Sequence, residues 1–273
     1  MQKNKSFWLS APYAVFMILF TLIPLGVVAY YAVTDPQTGH LTLGNIRDLW
    51  RYLPTLWVSV GYSLVSALIC LILGYPVAYF IASRKPVAQK LLYMLIMLPM
   101  CMSFLLRTLA WVGILETNGI LNNLLRHLHI GPFEMIGTPG AVILGMVYNY
   151  LPYMILPLYA VIVKIDRRLI NAAEDLGCNS TQVFLRVTLP LSMPGILSGV
   201  TMVFVPAVST FYISQKLGGT ETMLIGDVIE RQFKSGNNPH LGAALSLVLM
   251  LLVLICTGLM NRFGGNEEGG VPV

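Results

Sequence analysis

Few residues in this 273-residue chain could do chemistry, and none of them is grouped for catalysis. No G-x-x-x-x-G-K-[ST] run occurs, so nothing here would hold a nucleotide's phosphates and the chain cannot hydrolyse ATP alone. His40, His127, His129 and His240 fall in or beside the loops that join the long apolar runs, whereas an intramembrane enzyme would need a nucleophile with its base at membrane depth. Cys70, Cys101 and Cys256 lie in apolar runs and Cys178 in a polar stretch, with no paired spacing, so neither a disulfide framework nor a zinc site is indicated. Arg107 is the one charge set deep in an apolar run. Burying such a charge costs at least about 2.5–3.5 kcal/mol on insertion scales, so it must find a partner or water. A structural or gating role follows, with carbonyls of a neighbouring helix or a carboxylate such as Glu116 as the expected partner.

The elements around these residues are set by composition. The chain is 56% hydrophobic and 11% charged, with a mean hydropathy of +0.73, against about 45–50% and about 25% in soluble domains. A water-soluble globule is thereby excluded. Stretches free of Asp, Glu, Lys and Arg run over Ser6–Thr34, Tyr52–Ser83, Met135–Val163, Val187–Gln215 and Ser235–Asn261, and Leu91–Leu115 is interrupted only by Arg107. Each is longer than the roughly 20 residues a helix needs to cross a bilayer core. Spanning backbone must satisfy its own hydrogen bonds, and continuous rather than alternating apolar runs choose helices over a barrel. The reading is an all-α polytopic membrane protein, one transmembrane domain over residues 1–273. Its six spans are expected at about 10–33, 56–82, 91–115, 140–164, 191–212 and 241–260. The first follows Lys3 and Lys5 but is far longer than a signal peptide's roughly 7–15-residue apolar core, which makes it an uncleaved anchor.

Loop charge sets the orientation, because cytoplasmic loops retain Lys and Arg. Lys3, Lys5, Arg84, Lys85, Lys90, Lys164, Arg167, Arg168, Arg186 and Arg262 lie on one side. The longer loops of the other side hold only Arg47, Arg51, Arg126, Lys216, Arg231 and Lys234. Both termini are therefore expected in the cytoplasm, and the net charge of +5 is a matter of topology rather than of nucleic-acid binding. Pro12, Pro24, Pro76, Pro99, Pro152, Pro157, Pro194 and Pro206 punctuate the spans. The backbone groups they release need neighbours or water, which suits a bundle around a polar path better than a simple anchor.

Residues 166–190 form a polar island predicted to hold two short helices. Asp166 is placed to cap the first; Leu169, Ala172, Ala173 and Leu176 repeat at helical spacing; and Gly177 can end it in a left-handed conformation. Ser180 is expected to cap the second helix, Thr181–Val187, and Pro190 to stop it. Small Ala and Gly residues on an amphipathic helix favour close docking of another protein over burial in lipid headgroups. Gly195-Ile196-Leu197-Ser198-Gly199 also permits close helix contact, within the chain or with a second membrane subunit.

Ala172-Ala173, Gly177 and Val187-Thr188-Leu189-Pro190 resemble the EAA loop of permease subunits from binding-protein-dependent ABC importers. Asn171 replaces that family's usual Glu, and Val187 its Ile. The lost charge is tolerable, since a partly exposed ion pair is worth only about 0–1 kcal/mol. The likeness implies the six-helix fold of type I ABC importer permeases. It also implies an ATPase-coupling role for Asn171, Ala172, Ala173, Glu174, Asp175, Gly177, Leu189 and Pro190. Arg107-Thr108-Leu109-Ala110-Trp111, Asn118-Gly119-Ile120-Leu121-Asn122, Leu151-Pro152-Tyr153 and Leu217-Gly218-Gly219 with Met223 to Asp227 are similar to B-type permeases of spermidine/putrescine systems.

That resemblance implies half of a polyamine path across a bacterial inner or plasma membrane. The expected partners are a homologous C-type permease, two cytoplasmic ABC ATPases and an extracytoplasmic polyamine-binding protein. No cofactor belongs to the chain, ATP and Mg being held by the ATPase. A flexible polycation needs acids and aromatic faces, each cation–π contact being worth about 0.5–2 kcal/mol. Glu116, Asp227 and Glu230 are the candidates for guiding it, and Trp111, Tyr148, Tyr153, Ser209, Phe211 and Tyr212 for lining its path. The alternatives are a permease for another small cationic or organic solute, or a self-sufficient secondary transporter or channel. The last would call for intramembrane Asp, Glu or His, or for inverted repeats, and the spans hold no carboxylate.

Overall fold

A computed structural model describes residues 12–264 apart from 14, 36–39, 43, 130, 220–221 and 235–237. Among the described residues it is built of helices, with only isolated bridges between Thr34 and Leu41 and between Gly137 and Gly218. We number the helices α1 (Val15–Ala32), α2 (Leu53–Ala82), α3 (Pro86–Met97), α4 (Phe104–Leu115), α5 (Ile120–His127) and α6 (Pro139–Ile162). Then follow α7 (Arg167–Asp175), α8 (Ser180–Leu191), α9 (Met193–Val208), α10 (Tyr212–Leu217), α11 (Ile225–Lys234) and α12 (Pro239–Gly264). Among the described residues five helical stretches are long and apolar enough to cross a membrane, and a sixth is added if the bent pair α8 and α9 counts as one span.

Contacts divide the chain into two units. The first comprises Met1–Pro54 and Val228–Leu252. In it Ala32 of α1 packs against Ala243 and Ala244 of α12, small residues that let the two backbones approach. Asn45, buried, donates to the carbonyls of Ala32 (3.3 Å) and Thr34 (2.9 Å) and so holds the turn that follows α1. His240 Nδ1 lies 3.0 Å from the Tyr31 carbonyl and 3.2 Å from Thr34 Oγ1.

The second unit, Thr55–Asp227 with Val253–Val273, is organised around α6. Thr138 starts that helix by accepting from Ala141 N–H (3.2 Å), with Pro139 in the first turn, where no amide is needed. Met146, Met154 and Leu158 on it are fully buried. α9 crosses α6 at its two glycines. A Cβ on Gly199 would stand 2.6 Å from Met154 Sδ, and one on Gly195 would stand 3.1 Å from the Pro157 carbonyl. The small-residue motif therefore serves packing within the chain.

Two expectations change here. The span expected over 91–115 is not one helix: α3 tightens into a 3-10 turn at Leu98–Cys101, breaks, and restarts as α4. Pro99, which cannot donate, sits in that turn. Pro190 likewise does not stop the second loop helix. A π-helical turn over Phe184–Thr188 accommodates it, α8 runs on to Leu191, and the chain then bends by 64° at Ser192 into α9. Asn179 rather than Ser180 caps α8. Its side chain accepts from Gln182 N–H (2.8 Å), while Gln182 Oε1 accepts from Asn179 N–H (3.0 Å) in a capping box.

Candidate functional site: a loop helix and a broken span

α7 forms as its residues dictate. The Asp166 carboxylate accepts from Arg168 N–H at 2.9 Å, and Gly177 takes φ +86°. Beyond it, Cys178 N–H reaches the Ala173 carbonyl (3.0 Å) and Gly177 N–H that of Glu174 (2.9 Å), the paired bonds of a Schellman stop. The helix presents two faces. Leu169, Ala172 and Leu176 are exposed although apolar, Leu176 to 86%. Arg167, Ile170, Asn171 and Glu174, at i, i+3, i+4 and i+7, instead line a cavity of about 710 Å³ shared with the turn between α2 and α3.

The expected coupling set is thus divided. Ala172 and Ala173 sit on or beside the outward face, while Asn171 and Glu174 line the cavity. Asp175 is exposed at the end of α7. Leu189 packs against the core, and Pro190 is exposed next to the bend. What fixes the bend was missed from sequence. Ser192 Oγ donates to the Leu189 carbonyl (2.9 Å) and accepts from the Tyr75 hydroxyl of α2 (2.8 Å), both side chains being buried. Tyr75 also stands edge-on to Phe184 with ring centres 5.4 Å apart. Lone Tyr and Ser residues 117 positions apart carry no sequence signal of this pairing.

At the other candidate region, Arg107 occupies the first turn of α4, just past the break, and is 6% exposed. Among the described residues its Nε and Nη1 have no hydrogen-bond partner. Glu116, expected as a partner, is exposed at the far end of α4, where its carbonyl accepts from Asn122 Nδ2 (3.1 Å). The guanidinium is near enough to the Tyr150 hydroxyl for an electrostatic interaction, and that hydroxyl donates to the Pro206 carbonyl at 3.3 Å. Phe104 packs on Tyr150 (6.5 Å) and Tyr212 (6.3 Å), and Tyr150 on Tyr153 (6.3 Å). The structure therefore brings Tyr153 and Tyr212 into one aromatic group beside Arg107. Trp111 and Tyr148 form a separate edge-to-face pair at 5.3 Å.

Ser209 turns its hydroxyl back to the Val205 carbonyl (3.2 Å), and Phe211 is partly exposed beside it. The expected guiding acids part company as well. Asp227 is buried, 2% exposed, and its Oδ2 accepts from Leu224 N–H at 2.9 Å, so it braces the start of α11 rather than facing solvent. Glu230 pairs with Lys234 one turn on. Asn122, unremarked as a site, is fully buried. Its amide donates to the carbonyls of Glu116 and Phe133 and accepts from Phe133 N–H (2.9 Å), closing the loop after α5.

Broken and bent apolar helices with an amphipathic helix held at their ends are the architecture of a transport permease. The chain belongs to the family described as binding-protein-dependent transport system inner membrane component, whose model matches residues 74–264. It is 39% identical over 248 residues to the spermidine/putrescine transport system permease protein PotB of Haemophilus influenzae, covering 88% of this chain and 87% of that one. To the PotB of Escherichia coli K12 it is 40% identical over 246 residues, covering 87% and 90%. The inner membrane ABC transporter permease protein YdcU of E. coli K12 is 30% identical, with 90% and 83% covered. Among solved structures, a chain of a bacterial ABC transporter for import of the acidic polysaccharide alginate superposes with a TM-score of 0.81 at 17% identity, covering 97% and 98%. A chain of the MetNI methionine ABC transporter gives 0.62 at 16% identity, covering 80% and 96%. The chain therefore has the permease fold of ABC importers.

Proposed function

We propose that this chain is the B-type permease subunit of an ATP-driven polyamine importer. It would form half of a gated path with a homologous C-type permease, receive spermidine or putrescine from an external binding protein, and change access as two cytoplasmic ATPases close. Both termini and α7 would lie in the cytoplasm. The observation that carries this reading is the 39–40% identity, over nearly nine-tenths of the chain, to permeases named for spermidine/putrescine transport.

The outward face of α7 supports the ATPase half of the proposal. Leu169, Ala172 and Leu176 would remain in water unless a partner covers them, and small residues between them admit a closely fitting groove. The Tyr75–Ser192 bond and the bend it holds would carry movement of the loop into α2 and α9.

The test is co-expression with a C-type permease, an ABC ATPase and a polyamine-binding protein from the same source, purification in mild detergent, and uptake of labelled spermidine after reconstitution into proteoliposomes. ATP-dependent spermidine uptake competed by putrescine is expected. Failure of either polyamine to be taken up by an assembled, ATP-hydrolysing complex would overturn the substrate assignment.

A further inference from the structure

We infer that the cavity between α7 and the α2–α3 turn is a binding site for the phosphate-bearing headgroup of an anionic phospholipid. Two candidate membrane spans, α2 and α6, end in it at Ala82 and Ile162, which places the cavity at the boundary of the hydrocarbon layer. Its wall divides by chemistry. Ile162, Val163 and Ile165 supply apolar surface, and Arg84, Lys85 and Arg167 supply three cations.

Glu174 is the one acid on the wall, so the lining carries two net positive charges. Among the described residues none of these cations is ion-paired. Arg84 lies over the Phe80 ring at 4.0 Å, and Arg167 reaches only the Ser83 carbonyl, at 3.5 Å. An independent observation points to a missing partner. Thr188 also lines the cavity, is 1% exposed, and its Oγ1 has no hydrogen-bond partner among the described residues. A buried hydroxyl without a partner is costly, and a phosphate oxygen would satisfy it with a charge-assisted bond.

An amphipathic ligand fits both halves of the wall, with acyl carbons against the isoleucines and phosphate among the cations. A bound lipid would brace α7 against the α2–α3 turn from the face opposite Leu169, Ala172 and Leu176. The inference therefore stands whether or not those residues dock an ATPase.

Native mass spectrometry of the full chain in detergent, titrated with phosphatidylglycerol and with phosphatidylcholine, provides the test. Retention of phosphatidylglycerol over phosphatidylcholine is expected. Each basic residue near an anionic lipid contributes roughly fivefold, so Arg84→Gln/Lys85→Gln/Arg167→Gln should bind at least about tenfold more weakly. Lys85→Gln alone should lose roughly fivefold while Lys85→Arg binds as the parent does, which separates charge from misfolding. Displacement of the lipid by millimolar inorganic phosphate would assign the site to free phosphate and overturn the lipid. Equal retention of both lipids, or unchanged retention in the triple variant, would overturn the site itself.

Discussion

Arg107 brings a charge into an apolar span and leaves Nε and Nη1 without acceptors among the described residues, so in this conformation the electrostatic interaction with Tyr150 offsets the cost of burying them only in part. Such an arrangement is retained where another conformation supplies the acceptors. Arg107→Leu should accordingly leave the unfolding temperature in detergent unchanged or raised, while cutting ATP-driven uptake at least about tenfold, or about 1.4 kcal/mol in barrier. Unfolding and uptake measured on one preparation decide it: normal uptake, or a lowered unfolding temperature, removes the gating role. Asn122 has the opposite character, with each amide atom engaged by the loop it closes. Asn122→Ala should destabilise by about 1–3 kcal/mol, because Phe133 N–H loses its acceptor. Limited proteolysis should then cut within 116–133, and a loop as resistant as the parent's would refute this.

Elements are held here by where small residues sit. Gly199 faces Met154, so Gly199→Leu should force α6 and α9 apart at a cost of about 1–3 kcal/mol, read as a lower midpoint of chemical unfolding. At Gly177 the constraint is conformational instead, since a Cβ would meet nothing within 4 Å but φ is +86°. Gly177→Asn should therefore be tolerated far better than Gly177→Val, measured by thermal unfolding, because Asn visits the left-handed region and a β-branched residue does not. The loop caps show how far local chemistry reads from sequence. Asp166 and Gly177 announce the ends of α7 outright, whereas Asn179 and Ser180 are adjacent capping residues, and only the reciprocal bond from Gln182 selects Asn179.

For the whole molecule the decisive experiment joins the outward face of α7 to its partner. Ala173→Asp places a carboxylate beside that face and should abolish ATPase co-purification. Tyr75→Phe, which loses the hydroxyl donated to Ser192, should keep co-purification and reduce uptake coupled to ATP hydrolysis. Retention of the ATPase by the first variant, or full coupling in the second, would separate α7 or the bend from transport. A reporter fused after Val273 is expected to be active only on the cytoplasmic side, as the distribution of Lys and Arg requires.

The helical class, the apolar spans and the amphipathic loop helix were determined by the sequence itself. They rest on composition, periodicity and capping residues, which act over a few neighbouring positions. The division of the third apolar run into α3 and α4, the passage of α8 beyond Pro190, and the burial of Asp227 were decided only by the tertiary structure. So were the unpartnered arginine, the Tyr75–Ser192 bond and the basic cavity behind α7. Each depends on which distant helix supplies an acceptor, a wall or nothing at all, and the local pattern of residues does not encode that.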